Sequence, residues 1–283
     1  MPEIHVVHGT PDARDFKPGD VIIDALTGDR SLYSAGNELI ALPVAVPPAY
    51  QVDAASFDGT AFLSRGSALT GVVDSATGTS MVWVKAASQT NDIFTTGSNQ
   101  NFELGLNQAA SGLKLAMYNA ASSSDQIWGV TATVNDTWIG ILTSWDNNES
   151  PPRRMACYVG GTLATKASID ATGSAFSVNY TETSTYFAAD PFGDITTGDF
   201  ADFLFWPGVS ILEEDNTISV PNLALFFNES RPVDPAISIA SLGSPAVMFS
   251  GGASGFATNQ GTGGAFTLTG ILTTASTSPT DPP

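Results

Sequence analysis

Between residues 54 and 210 apolar side chains recur at every second position. Phe102, Leu104 and Leu106 alternate with Glu103 and Gly105; Leu113, Leu115 and Met117 alternate with Lys114 and Ala116 beyond a turn containing Ser111-Gly112. A period of two sends successive side chains to opposite faces, so this stretch predicts an antiparallel hairpin with one face buried. Further strands are predicted over 80–86, centred on Trp83, and over 137–145, 155–159 and 199–206, where Ala201, Phe203 and Phe205 share a face. Clusters of Gly, Asn, Asp and Ser separate them. Regular short strands with little helical periodicity point to a sandwich or jelly roll and against alternating strand–helix units.

One helical signal stands out, at 219–227, where Ser219 precedes Val220-Pro221 as a cap precedes a first turn. Beyond it, 247–249 and 265–272 read as a terminal hairpin or edge strands, and 276–283 as a loose tail. At the other end, Val21-Ile22-Ile23-Asp24 and Ser31-Leu32-Tyr33 flank Thr27-Gly28-Asp29 as in a small hairpin. The Pro-rich stretch 42–48 follows and favours an extended connection. The expected organisation is an arm over 1–50, a sandwich over 51–235, and a C-terminal β extension and tail over 236–283.

Charge narrows the range of partners. The chain has 10 basic against 28 acidic residues, a formal charge of -18, which repels nucleic-acid backbones and anionic membrane surfaces. Beyond Lys166 the only base is Arg231, so the acidity is concentrated toward the C-terminus. Charged residues make up 13% of the chain, about half the usual share, so surface polarity must come largely from hydroxyls and amides. Cys157 is alone, which excludes an intrachain disulfide, and its setting in Met155-Ala156-Cys157-Tyr158-Val159 reads as a buried strand. No basic segment followed by an apolar run opens the chain, and no apolar stretch approaches the roughly 18 residues of a membrane span. Neither a secretion leader nor a membrane span is expected.

Ser56-Phe57-Asp58-Gly59-Thr60, followed by Ala61-Phe62-Leu63, resembles the opening strand of laminin G-like domains of the concanavalin A-like superfamily. The later pieces follow in the family's order. Ser80-Met81-Val82-Trp83-Val84-Lys85 resembles its strand with a central Trp, and Thr137-Trp138-Ile139 resembles a second. Cys157-Tyr158-Val159-Gly160-Gly161 is similar to its Y-V-N-G hairpin, with Gly160 where Asn is usual, and 199–205 is similar to a late strand. The resemblance covers roughly residues 54–232 and implies an all-β, two-sheet antiparallel jelly-roll sandwich. Trp83, Trp138 and Phe205 are then expected to fill the space between the sheets. The segment from Arg231-Pro232-Val233-Asp234 to Thr269-Gly270 resembles the C-terminal part of tailed-bacteriophage proteins that carry such a domain. That implies a virion-surface protein, a capsid decoration or head-fibre component. It would be a homo-oligomer, expected as a trimer, docked to other virion proteins through its arm or C-terminal region. The alternative is a tail component that recognises a host-surface glycan, and a third reading is a glycan-cleaving enzyme.

Candidate chemistry was weighed on this frame. The alternating acids E-x-D-x-E of glycan-cleaving relatives are absent, and Glu213-Glu214-Asp215 is consecutive, so neighbouring side chains would diverge on a strand. An exposed turn is expected there, and no catalysis. His5 and His8, the only histidines, lie in the arm and are too sparse for a zinc site. Trp128, Trp145, Tyr180 and Tyr186 lie beside loops or at strand ends, where aromatic rings can stack on sugars, so these four are the candidate carbohydrate contacts. No cofactor is expected; relatives in the family it resembles often hold calcium near the glycan site, and Asp58, Asp190, Asp194 and Asp199 are the candidate ligands if this chain does so.

Overall fold

The computed structural model describes residues 50–86, 90–97, 101–107, 112–119, 122–131, 136–148, 154–171 and 177–281, and four strands within residues 1–49. The chain divides into two compact units, Met1–Ala49 and Tyr50–Pro283. In the first, β1 (Ile4–Val7) lies parallel to β2 (Val21–Asp24), which is antiparallel to β3 (Arg30–Tyr33), itself antiparallel to β4 (Leu39–Ala41). Val21 sits opposite Leu32, so the small hairpin expected from the alternation is present, extended into a four-stranded sheet.

The second unit is a sandwich of two antiparallel sheets. Sheet I runs in the order β15 (Lys166–Ala171), β11 (Ser122–Thr131), β10 (Gly112–Asn119), β9 (Phe102–Asn107), β8 (Thr90–Thr96), β16 (Thr185–Phe187), β6 (Phe62–Arg65) and β21 (Thr267–Thr269). Sheet II runs β14 (Thr162–Leu163), β13 (Arg154–Val159), β12 (Ile139–Asp146), β7 (Thr77–Lys85), β17 (Thr197–Pro207), β5 (Ala55–Asp58) and β22 (Thr273–Thr274), with β20 (Val247–Phe249) also paired to β17. The predicted hairpin is β9–β10, with Phe102 opposite Met117, Leu104 opposite Leu115 and Leu106 opposite Leu113. The predicted glycine hairpin is β13–β14, where Val159 faces Thr162 across Gly160 and Gly161, both at positive φ. That two-residue turn needs left-handed backbone at both positions, which glycine supplies without strain.

Between the sheets lies an aromatic core. Phe57, Phe94, Phe102, Phe187, Phe203 and Phe205 are buried there. Phe205 stands 5.0 Å from Phe94, 5.2 Å from Phe102 and 5.6 Å from Tyr180, ring centre to ring centre.

A second core covers the outer face of sheet II. The chain after β17 folds back over it through α1 (Val220–Leu223), the short hairpin β18 (Phe227–Asn228)–β19 (Arg231–Pro232) and α2 (Pro235–Leu242). Met81, Trp83, Leu142 and Trp206 are sealed beneath Ile211, Ile218, Phe226 and Phe227. This corrects the expected position of Trp83. Val82 and Val84 take the inner face of β7, so alternation sends Trp83 outward, onto Phe227 at 5.9 Å. Trp138 is likewise absent from the inter-sheet core and packs, half-buried, against the outer one, whereas Phe205 lies inside as expected.

Each of the two tryptophans flanking the β7–β12 pair lies over a glycine of the opposite strand. Trp145 faces Gly78 and Trp83 faces Gly140. A Cβ on Gly78 would run into the Trp145 ring, and one on Gly140 would lie 2.7 Å from Phe227 and 2.8 Å from Trp83.

The C-terminal stretch, expected as an extension, is woven into both sheets: β21 edges sheet I, β22 edges sheet II, and α3 (Ala253–Phe256) buries Phe256 in the inner core. Nor are residues 276–281 a loose tail. Ala275 N donates to Ala54 O at 2.8 Å, and Val52 N donates to the buried Thr280 Oγ1 at 3.4 Å. The 219–227 signal yields only the single turn α1. The eight-residue α2 went unpredicted, although Asp234 caps it through Ala236 N at 2.9 Å and Pro235 opens it.

Candidate functional site

Where β7 ends and β12 begins, sheet II, the β18–β19 hairpin and the segment 277–281 enclose a cleft of about 550 Å³ that is open to solvent. Strand pairing creates it. Val84 is in register with Ile139, so Lys85 and Trp138 come to the same end of neighbouring strands although 53 positions apart in sequence. Arg231 enters from β19, and Thr277, Ser278 and Asp281 form the facing wall.

The polar groups of the cleft are partly engaged with one another. Lys85 Nζ and Trp138 Nε1 each donate to Thr277 Oγ1 at 3.2 Å, and Lys85 Nζ stands 3.9 Å from Asp136 Oδ1. Asp136 is held in place by its N–H, which donates to Ala86 O at 3.1 Å, and Asp281 Oδ2 accepts from Ser278 N at 2.6 Å. Arg231 is exposed and makes no ion pair among the described residues. Two cationic and two anionic side chains thus meet beside one indole in a size range typical of small-ligand pockets. The arrangement offers an apolar ring face with hydrogen-bond donors and acceptors around it.

A second unusual group is Asp202, 2% exposed, in a bulge of β17 where the pairing with β7 shifts between Ala201 and Leu204. Its backbone has φ +45°, and its side chain turns into the outer layer. There Oδ1 accepts from Tyr50 Oη at 3.1 Å and from Ser250 Oγ at 2.5 Å, while Oδ2 has no partner. Burial, reinforced by the nearby Asp234 charge, pushes this carboxyl up to about 6 against the two hydrogen bonds that favour its ionised form. Burial, then the Asp202 charge, raises Tyr50 as well. Asp202 lines neither the Trp138 cleft nor the smaller one beside Trp206.

The residues proposed from sequence do not meet in one site. Trp145 and Tyr180 are fully buried in the inner core, where Trp145 Nε1 donates to Tyr180 Oη at 3.1 Å. This corrects their assignment as sugar contacts, because no ring face is left for a ligand. Tyr186 is half-buried on β16, facing away from the inner core, with its ring 6.5 Å from Phe62. The side chain of Trp128, on β11, lies outside the described residues, as do those of His5 and His8.

The four acids are also dispersed. Asp58 accepts from Thr60 N and Thr60 Oγ1 at 2.9 and 2.7 Å, bonds that hold it below its ordinary range. Asp190 Oδ1 accepts from Phe192 N and Asp194 N within its own turn. Asp58 and Asp199 share a face of the β5–β17 pair but stand two residues apart in register. Among the described residues no three metal-ligating side chains gather, so these acids do not fit a single calcium site. Glu213-Glu214-Asp215 forms an exposed turn, as expected, with Glu213 N donating to Thr217 O at 2.8 Å.

Sequence reasoning missed the cleft because its residues come from four separated segments. One signal was available: Arg231, the solitary base of the acidic C-terminal part, is one of its lining residues.

No protein-family profile matches the chain, and no curated protein matches it in sequence. Solved structures do resemble it. A candidate carbohydrate-binding protein from Bacteroides ovatus aligns over 93% of this chain and 71% of its own, with a TM-score of 0.54 and 14% identity. Domains LG4-5 of the mouse laminin alpha1 chain align over 63% of this chain and 50% of theirs, with a TM-score of 0.43 and 13% identity. At these identities the similarity concerns the fold, an all-β, two-sheet antiparallel sandwich of jelly-roll type.

Proposed function

We propose that the sandwich is a carbohydrate-recognition module that binds a saccharide in the Trp138 cleft without cleaving it, and that the separate unit Met1–Ala49 anchors it to a larger assembly. The observation that carries the proposal is the cleft, in which one indole, two cations and two carboxylates converge on a space of about 550 Å³. Sugars bind proteins through this combination, with the apolar face of a pyranose on an aromatic ring and its hydroxyls bridging donors and acceptors. The Bacteroides ovatus neighbour, described as a candidate carbohydrate binder, supports the reading at the level of fold.

The engagement of the two carboxylates supports binding without cleavage. The Asp281 carboxylate is committed to its own loop, and Asp136 is exposed with Lys85 beside it. A glycan array probed with the protein and with W138A tests the proposal; binding by the first and not the second is the expected result. Polysaccharide incubated with the protein should keep its chain length.

Attachment to a virion surface, as a decoration or receptor-binding component, is the assembly role proposed for the N-terminal unit. Its support is the separateness of that unit. Mass spectrometry of purified phage particles tests it, and light scattering of the pure protein tests the expected trimer.

A further inference from the structure

We infer that the ligand of the Trp138 cleft is a neutral saccharide, recognised through its hydroxyls and ring face rather than through charge. This rests on the glycan-binding reading above and adds the chemical class.

Lys85 and Arg231 are balanced by Asp136 and Asp281, so the cleft is neutral in a chain whose formal charge is -18. A polyanionic glycan would have to approach that negative surface and would gain no surplus of cations on arrival. Of the four basic side chains described in the sandwich, Arg65 is turned onto Ala68 O, Ala265 O and Thr70 Oγ1, and Arg154 is paired with Asp146 at 2.6 Å. No described base remains to extend a cationic track beyond the cleft.

Lys85 Nζ and Trp138 Nε1 converge on one oxygen, and that oxygen is the hydroxyl of Thr277. An ammonium and an indole N–H aimed together at a neutral hydroxyl show what the donor geometry suits. A sugar hydroxyl can share or replace that position and can donate a hydrogen bond toward Asp136, whose carboxylate is 3.9 Å from the same ammonium. A ligand carboxylate placed there would offer no proton to Asp136 and would meet a like charge.

Salt dependence separates the two classes, because screening weakens charge-driven binding and leaves stacking and hydroxyl hydrogen bonds largely intact. The test is calorimetric titration of the whole protein with neutral oligosaccharides (gluco-, manno-, xylo- and galacto-series), with polyuronates of similar length, and with heparin, at about 50 and about 500 mM NaCl. Expected is binding to a neutral series with affinity changing less than about twofold across that range. K85M should weaken it about tenfold or more by removing a charged donor, and W138A should abolish it. R231Q, a change at an exposed position, should weaken it less, and thermal melts check that every variant is folded.

Binding confined to the polyanions, or an affinity falling about tenfold or more with salt, overturns the neutral class while leaving the cleft as a glycan site. No binding by either class, or binding that W138A and K85M leave unchanged, overturns the glycan reading of the cleft and this inference with it.

Discussion

The two faces of sheet II carry different kinds of core. The inner face meets sheet I through interlocking aromatic rings, and its strands are apolar on that side because a second pleated layer presses against them. The outer face is covered by segments that arrive late in the chain, with short helices and a two-residue hairpin for a lid. That cover leaves seams, and the Trp138 cleft and the buried Asp202 lie along them. Close packing between two sheets builds the scaffold, and imperfect coverage of one sheet makes room for polar chemistry.

Truncation is the sharpest test of this contrast. Phe205 contacts Phe94, Phe102, Trp145 and Tyr180 through their rings. F205A should cost about 3–5 kcal/mol, since neighbours fixed in two sheets cannot collapse into the void. Phe226 on the outer side has a single described ring partner, Trp206 at 5.9 Å, and follows the single turn α1 rather than lying in a sheet. F226A should cost less, about 3 kcal/mol, at the bottom of that range. Chemical denaturation reads both, and equal losses would erase the distinction between the cores.

Asp202 tests the outer layer from the opposite direction. Its folded-state pKa of about 6 lies above the usual unfolded carboxylate value near 4, so between these values the native state holds the proton more tightly. Stability contributed by this group is therefore greatest below about pH 4, falls as pH rises toward 6 and stays lost above it. The penalty at neutral pH is on the order of 3 kcal/mol. D202N removes the charge, keeps an oxygen for Tyr50 and Ser250, and tolerates the positive φ. It should raise the melting temperature at pH 7.5 and flatten the slope between pH 4 and 6. A variant less stable than the parent at pH 7.5 would show that the ionised carboxylate is worth more to the seam than its burial costs.

How far the sequence could be read follows the same division. The β9–β10 hairpin was legible residue by residue because only one of its faces is apolar in the pattern. β7 reads Thr77-Gly78-Thr79-Ser80-Met81-Val82-Trp83-Val84-Lys85, apolar on both sides after Ser80, and nothing in it says which face Trp83 takes. In the sequence Trp145 and Tyr180 border loops, a setting that points to the rim. Their burial depends on Gly78 across the strand pair and on each other's hydrogen bond, which are long-range facts. The cleft was illegible for the same reason: Lys85, Trp138, Arg231 and Thr277 are joined only by strand register.

Gly140 gives an intermediate effect. G140A places a methyl against Phe227 and Trp83, both of the outer layer. Overpacking typically costs about 1–3 kcal/mol, and the lower half of that range is expected because the β18–β19 hairpin can lift. G78A pushes instead on Trp145, which is fully buried with Phe102 5.0 Å away, and the upper half is expected. Denaturant midpoints for the two variants, measured together, should therefore differ in that order.

The smallest effect belongs to Arg231, which is exposed and makes no ion pair among the described residues. R231Q should leave stability within about 0.5 kcal/mol, as surface changes away from packed features do. Its consequence should instead appear in ligand affinity, because removing the guanidinium takes donors from the cleft and leaves its two carboxylates facing Lys85 alone. A residue neutral for folding but not for binding is what a seam in the outer cover predicts. A melting temperature lowered as far as by G140A would mean that the β18–β19 hairpin is held down by charge and that the cleft is part of the packing.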